Sequence, residues 1–297
     1  MEKENIVGRL IIVRHGQSVG NEQNFYSGFL DVYLTEQGEL EAKIGANNLN
    51  AYLQDNNLQI DTVFTSDLVR AQRTAQITLE ILGLKNLPLI ERTGLKERSY
   101  GLLEGKNKTT TAEILSSVAK SMKDISFSDF QNDTAIRSII ENCIPAGYLT
   151  DDAEHNDLFL EKFTLSVQEA AQNSVNPLDA IAGLAQEWRR GHLVIPPAAE
   201  SLEMVAQRTI SVYDQDIKPL LEQGKNVMVV AHNNSLRGLV YGIQGYNPQS
   251  IRQEDGFVTA VPEVIEFDEQ MQPAHFQRCN LSNYAAMHTI LEQSARS

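Results

Sequence analysis

Cysteine is scarce: Cys143 and Cys279 are the only two in 297 residues. They form no Cys-x-x-Cys pair and no metal-ligand spacing, so neither a disulfide framework nor a zinc site is indicated, and a reducing cytoplasm is the expected compartment. No stretch approaches the roughly 18 apolar residues of a membrane-spanning helix. Met1 to Val7 is charged and polar, unlike a basic start followed by an apolar segment, so neither secretion nor membrane anchoring is expected. The Asn-x-Ser/Thr triplets at Asn107, Asn132 and Asn280 are read as coincidence on that ground. Basic charge is short as well: 25 Lys and Arg against 39 Asp and Glu give a net charge of -14. This excludes a general nucleic-acid binder, which needs a basic surface for phosphate contacts. An anionic small substrate is still allowed, provided its pocket gathers arginines of its own.

Hydrophobic residues make up 42% of the chain, enough for a sizeable core. Short Val- and Ile-rich runs at 10–13, 62–64 and 227–231 read as strands, and 264–267, behind Pro262, reads as a late edge strand. Helical patterns follow: 35–54 opening at Thr35, 67–82 with Ser66 as N-cap and a stop at Gly83, and 200–223 ending before Gly224. Alternating strands and helices predict an α/β fold, a three-layer α/β/α sandwich on a mostly parallel sheet. Between about 110 and 185 no strand-like run is found, Gly and Pro are sparse, and apolar residues recur at helical spacing. The expected organisation is a catalytic domain over 1–113 and 186–297, with a helical insertion at 114–185.

The strand ends carry the chemistry. Arg14, His15 and Gly16 follow the first; Thr65, Ser66, Arg70 and Arg73 follow the second; His232, Asn233, Asn234, Ser235 and Arg237 follow the third. Open α/β sheets bind ligands at this carboxyl edge. Two histidines and several arginines without clustered carboxylates describe an oxyanion site that works without a metal. Helices beginning after Ser66 and Asn233 would aim free N–H groups and positive dipole ends at the same place. The Asp151-Asp152 and Asp214-x-Asp216 pairs read as solvated faces rather than ligands.

These residues fall into ordered blocks: Arg14-His15-Gly16-Gln17-Ser18, Asn21, Ser27-Gly28 and Leu34-Thr35-Glu36-x-Gly38; Thr65-Ser66-Asp67-Leu68-x-Arg70-Ala71-x-Arg73-Thr74-Ala75; Leu95-Lys96-Glu97-Arg98-Ser99-Tyr100-Gly101; Gly105-x-Asn107-Lys108; Trp188-Arg189-Arg190; Glu200-Ser201-Leu202; and Ala231-His232-Asn233-Asn234-Ser235-Leu236-Arg237. The set resembles the histidine phosphatase superfamily, in its cofactor-dependent phosphoglycerate mutase branch, over about 9–113 and 186–268. The resemblance implies a phosphoglycerate mutase-like fold and a phosphohistidine at His15. An imidazole suits that role because it is nucleophilic near neutral pH without first losing a proton. Arg14, Arg70 and His232 would clamp the phosphoryl oxygens, helped by Asn21, and Glu97 would exchange the proton of the leaving and entering hydroxyl. By the same resemblance Ser27, Gly28, Arg98, Tyr100, Lys108, Arg189 and Arg190 would hold the substrate's carboxylate or second phosphate. The implied activity is interconversion of 3-phosphoglycerate and 2-phosphoglycerate, primed by 2,3-bisphosphoglycerate and needing no metal. A metal-independent phosphomonoesterase is the alternative, and an inactive phosphate sensor a third reading. The expected partner is a small phosphorylated substrate; a homo-oligomer is allowed.

The chain departs from the family pattern in places. Asn233 stands where Gly is usual, and Asn tolerates a left-handed backbone while keeping the N–H that would meet phosphate. Ser99 replaces a His, and Val19-Gly20 replace an acidic residue and a Trp. The blocks holding Lys108 and Trp188, normally close in sequence, are separated by the insertion, for which a lid role is expected because excluding water lets a phosphoenzyme wait for an alcohol. The stretch from about 270 to Ser297 is left open between a cover and a peripheral helix.

Overall fold

A computed structural model describes residues 6–123, 133–191, 193–244 and 256–278. Cys279, Tyr284, His288 and most of the C-terminal stretch lie outside them. In chain order the elements are β1 (Gly8–Arg14), α1 (Val19–Glu22), α2 (Glu36–Asp55), β2 (Thr62–Thr65), α3 (Val69–Ile81), β3 (Leu89–Glu91), α4 (Lys108–Ser121), α5 (Asp133–Cys143), α6 (Ala153–Gln172), α7 (Pro177–Arg190), α8 (Leu202–Val212), α9 (Lys218–Glu222), β4 (Asn226–Ala231), α10 (Asn233–Gln244), β5 (Pro262–Phe267) and β6 (Pro273–Arg278). The chain divides into two compact units, one of Met1–Glu22, Asp31–Glu97 and Val205–Ser297, the other of Gln23–Leu30 and Arg98–Met204. No helix among the described residues is long and apolar enough to cross a membrane.

The first unit carries one sheet in the order β3-β2-β4-β1-β5-β6. The pairs β1/β4, β2/β4 and β2/β3 are parallel, and β5 and β6 join antiparallel. Alternation along each strand sends Leu10, Ile12, Val227 and Val229 to one face, against Ile217, Leu221, Leu236 and Leu239. Ile11, Val13, Met228 and Val230 face the other way, against Leu49 and Leu53 of α2 and Ala75 and Leu79 of α3. That is the expected α/β/α sandwich. Both faces of β1 and β4 are covered, which is why their sequences read as continuous apolar runs rather than alternating ones.

Several boundaries differ from expectation. The 264–267 strand is not an edge: β6 pairs outside β5. β6, with its polar alternation, and the three-residue β3 give too little apolar signal to read. Helix α3 starts at Val69 after Leu68, not after Ser66, and Leu68 makes no side-chain cap. The Val69 N–H is instead taken by Asp31 Oδ1 at 2.7 Å, a carboxylate far away in sequence. Thr35 does cap α2, its hydroxyl accepting from the Gly38 N–H at 3.0 Å. The 200–223 helix is broken by a π-turn at Tyr213–Ile217. Pro219 sits at the start of α9 and has no N–H for the preceding turn, so the α-helical ladder cannot run through it.

The second unit holds α4 to α7 around a core of Leu115, Val118, Phe159, Phe163 and Trp188, with Tyr26, Tyr100 and Leu103 in the same cluster. Its bounds exceed the expected 114–185. Helices α4 and α7 pack directly on each other, so the chain returns from the inserted helices beside the point where it left.

Candidate active site

The sheet register sets the first part of the site. Arg14 pairs with Ala231, so the next residues, His15 and His232, leave adjacent parallel strands side by side. The His15 N–H donates to Ala231 O at 3.0 Å, and the two rings lie 5.0 Å apart at 58°. Both are buried. His15 Nδ1 is 2.7 Å from Gly16 O. A carbonyl only accepts, so Nδ1 carries the proton and Nε2 keeps its lone pair. Burial, then the Arg70 and Arg14 guanidiniums, hold the His15 pKa well below the ordinary imidazole value, against the opposing Gly16 bond. His15 is therefore held neutral, with a lone pair on Nε2.

His232 is oriented differently. Its Nε2 lies 2.7 Å from Ser66 Oγ, and the same oxygen accepts from the Leu68 N–H at 3.3 Å. With the hydroxyl donating to Nε2, His232 carries its proton on Nδ1, a buried atom with no hydrogen-bond partner among the described residues. That N–H is suited to an anion. Burial, then Arg70 and His15, keep the His232 pKa well below the ordinary value too.

Depressed imidazoles have a stability consequence. In the unfolded chain both histidines take up protons near pH 6.5, whereas the folded chain excludes them, so the unfolded state binds more protons as pH falls. Stability is therefore fully present above about pH 6.5 and is lost below it, by about 1.4 kcal/mol per pH unit for each imidazole. Urea unfolding from pH 7.5 down to 5.5 is expected to show this slope, and a His15→Asn, His232→Asn double variant to lack it. Equal slopes in the two proteins would refute the assignment.

The loop after β1 is anchored at each residue. A Cβ on Gly16 would lie 2.2 Å from Gly38 O, so only glycine fits that approach. The Gly16 N–H donates to Thr74 Oγ1 at 3.1 Å, and Thr74 donates to Arg70 O at 2.8 Å. The Gln17 N–H goes to Glu41 Oε2 at 2.8 Å. Ser18 donates its N–H and its hydroxyl to Asn21 Oδ1 at 3.1 and 3.0 Å, so any anion contact by Asn21 falls to Nδ2. Arg70 is 1% exposed in the first turn of α3, and Arg14 donates from Nη1 to Phe257 O at 2.8 Å.

Glu97 is buried and its Oε1 accepts from the Asn234 N–H at 3.1 Å. One of the helix-start N–H groups expected to face an anion thus holds the Glu97 side chain instead. Arg208 fixes the Glu97 backbone, donating to the carbonyls of Gly94, Lys96 and Glu97, each at 2.8 Å. Asn233 opens α10 with a backbone outside the left-handed region, so the tolerance expected of it is not used. Its Oδ1 accepts from the Phe257 N–H at 3.0 Å. Arg73 makes a half-exposed ion pair with Glu39 at 2.7 Å. Of the acidic pairs, Asp152 caps α6 and Asp216 binds Arg92.

The remaining expected residues lie in the second unit. Tyr26 and Tyr100 stack with centroids 4.9 Å apart, and Lys108 Nζ is 5.9 Å from the Tyr26 ring. Burial and then Tyr100 push the Tyr26 phenol above its usual range, against the pull of Arg189. The Tyr26 hydroxyl is buried without a hydrogen-bond partner among the described residues. Packing of α7 on α4 thus restores Arg189 to the neighbourhood of Lys108 despite the insertion. Arg190 is exposed. Arg98 departs from its expected role: it is fully buried and donates to the carbonyls of Glu200 at 2.8 Å, Val194 at 2.6 Å and Gly191 at 3.3 Å. It ties backbone together. Gly28, at φ 44°, leaves room for Glu104, whose Oε1 would lie 2.1 Å from a Cβ there. Glu104 also accepts from the N–H groups of Phe29 and Tyr100, each at 3.0 Å, and so fixes the loop containing Ser27. Glu41, Glu104 and Arg208 were not singled out in the sequence, because each acts on backbone atoms that no spacing rule connects to it.

Among the described residues no group of three or more His, Cys, Asp or Glu side chains could hold a metal ion. The sequence profile of the histidine phosphatase superfamily (branch 1) matches residues 10–135 and 179–279. A relative from Cytophaga hutchinsonii, named 2,3-bisphosphoglycerate-dependent phosphoglycerate mutase, is 31% identical over 262 residues, covering 88% of this chain and 89% of its own. One of the same name from Bifidobacterium longum is 33% identical over 267 residues, covering 89% and 88%. Two solved structures share the fold at lower identity. A mycobacterial glucosyl-3-phosphoglycerate phosphatase superposes with a TM-score of 0.56 at 19% identity, over 91% of this chain and 96% of that one. A phosphoglycerate mutase from Bacillus anthracis gives 0.53 at 18%, over 93% and 92%.

Proposed function

We propose that this chain, which belongs to the histidine phosphatase superfamily (branch 1), is a 2,3-bisphosphoglycerate-dependent phosphoglycerate mutase that interconverts 3-phosphoglycerate and 2-phosphoglycerate through His15. The observation that carries the chemistry is the His15 imidazole, neutral and with Nδ1 committed to Gly16 O. The mutase specificity rests on the name shared by relatives above 30% identity along most of the chain.

The donor set fits a phosphoryl group: two neutral imidazoles, one presenting a lone pair and the other an N–H, beside the buried Arg70 and the half-buried Arg14. When bound, 2,3-bisphosphoglycerate supplies the phosphoryl group that loads the enzyme before turnover. His15 Nε2 attacks phosphorus, forming the P–N bond as the P–O bond to the substrate oxygen breaks. Arg14, Arg70 and the His232 N–H stabilise charge on the three equatorial oxygens, which is where a loose transition state spreads it. Glu97 gives a proton to the departing oxygen, and in the reverse step takes one from the entering hydroxyl.

Phosphatase action is the second reading, and a specific observation favours it: Arg98 is engaged by backbone carbonyls, which takes a cation from the set expected to hold the substrate's other acidic groups. Phosphorus NMR of the protein with 3-phosphoglycerate and a trace of 2,3-bisphosphoglycerate separates the two. Growth of the 2-phosphoglycerate signal to equilibrium is expected; accumulation of inorganic phosphate in its place would establish the hydrolase.

A further inference from the structure

We infer that Asn233 is a positioning residue that fixes the Arg14 guanidinium through the backbone of Phe257. The Phe257 N–H donates to Asn233 Oδ1 at 3.0 Å, and the carbonyl of the same residue accepts from Arg14 Nη1 at 2.8 Å. One buried residue is thus gripped from both sides, by the first residue of α10 and by the last residue of β1. The Asn233 amide fills space that only a glycine leaves open, since a Cβ on Gly256 would lie 2.3 Å from Oδ1. The Arg14 backbone is tied to the same segment, its carbonyl accepting from the Ala260 N–H at 2.7 Å. Residues 256–260 therefore hold Arg14 by main chain and side chain together.

An arginine side chain has many rotamers, and a clamp on a phosphoryl group works only when its fork is held in place beforehand. A glycine at 233 would withdraw the acceptor from the Phe257 N–H, in a residue that is 9% exposed, and so loosen the carbonyl on which Arg14 rests. The side chain at 233 is engaged with the Phe257 backbone and acts at second hand, while the charge proposed to meet phosphate stays on Arg14.

The inference rests on the reading that Arg14 binds the transferred phosphoryl group, and the test keeps the two apart. Equilibrium binding of orthovanadate is measured for the full chain, Asn233→Ala, Arg14→Ala and the double variant, with amide hydrogen exchange at Phe257 followed in the first two. Asn233→Ala is expected to weaken orthovanadate about fivefold when Arg14 is present, to change it less than about twofold when Arg14 is absent, and to speed exchange at Phe257. An equal loss in both backgrounds, or unchanged exchange, would overturn the inference. If Arg14→Ala alone leaves binding unchanged, the clamp reading fails and takes the functional part of the inference with it, while exchange at Phe257 still reports on the hydrogen bond.

Discussion

His15→Ala is expected to lower turnover by on the order of 10⁴-fold or more and to abolish acid-labile phosphate on the protein after rapid quenching. The size follows from the absence of a substitute. His232 is the neighbouring imidazole, but its Nε2 is engaged with Ser66, and with the hydroxyl donating there its Nδ1 carries the proton, which leaves no lone pair for phosphorus. Arg14 and Arg70 would still bind the anion, and the variant should keep much of its affinity for inorganic phosphate while losing the reaction. That contrast is the diagnostic result. Turnover within tenfold of the parent protein would remove His15 from the nucleophile's role under either the mutase or the phosphatase reading.

Glu97→Gln carries the second large effect, about 10²- to 10⁴-fold on a substrate whose leaving group is an alkoxide. The amide oxygen can still accept from the Asn234 N–H, and Arg208 still holds the carbonyls of Gly94, Lys96 and Glu97, so the backbone should keep its place. What is lost is the exchangeable proton. An aryl phosphate whose phenolate departs unprotonated should therefore be cleaved by the variant nearly as well as by the parent, while phosphoglycerate is not. Equal losses on the two substrates would point to a damaged phosphoryl clamp instead of a missing acid.

Much of the central sheet was legible because β1, β2 and β4 are covered on both faces and read as unbroken apolar runs. Thr35 was legible because a cap acts within three residues. Ser66 shows the opposite case: its type and place suit a cap, but its oxygen is claimed by His232, 166 positions away. Arg98 shows the same limit. A guanidinium suits a phosphate and a set of backbone carbonyls equally well, and the three carbonyls that occupy it come from residues 191 to 200. Asn233 departs from the family pattern in sequence, yet its use shows only with Phe257 beside it. The residues proposed as nucleophile and clamp stand out because their types are chemically narrow and because they follow strand ends. The groups that aim them do not, since any acceptor at the right distance serves.

The parallel pairing of β1 with β4 also has a consequence for biosynthesis. The strand that leads into His15 is made before the helices of the second unit, and the one that leads into His232 only after them. A helical unit built on contacts between neighbouring helices can collapse during translation, but β1 must wait for its central partner across most of the polypeptide. A truncated chain ending before Ala231 would therefore hold His15 without His232 beside it, and is expected to show none of the proposed activity.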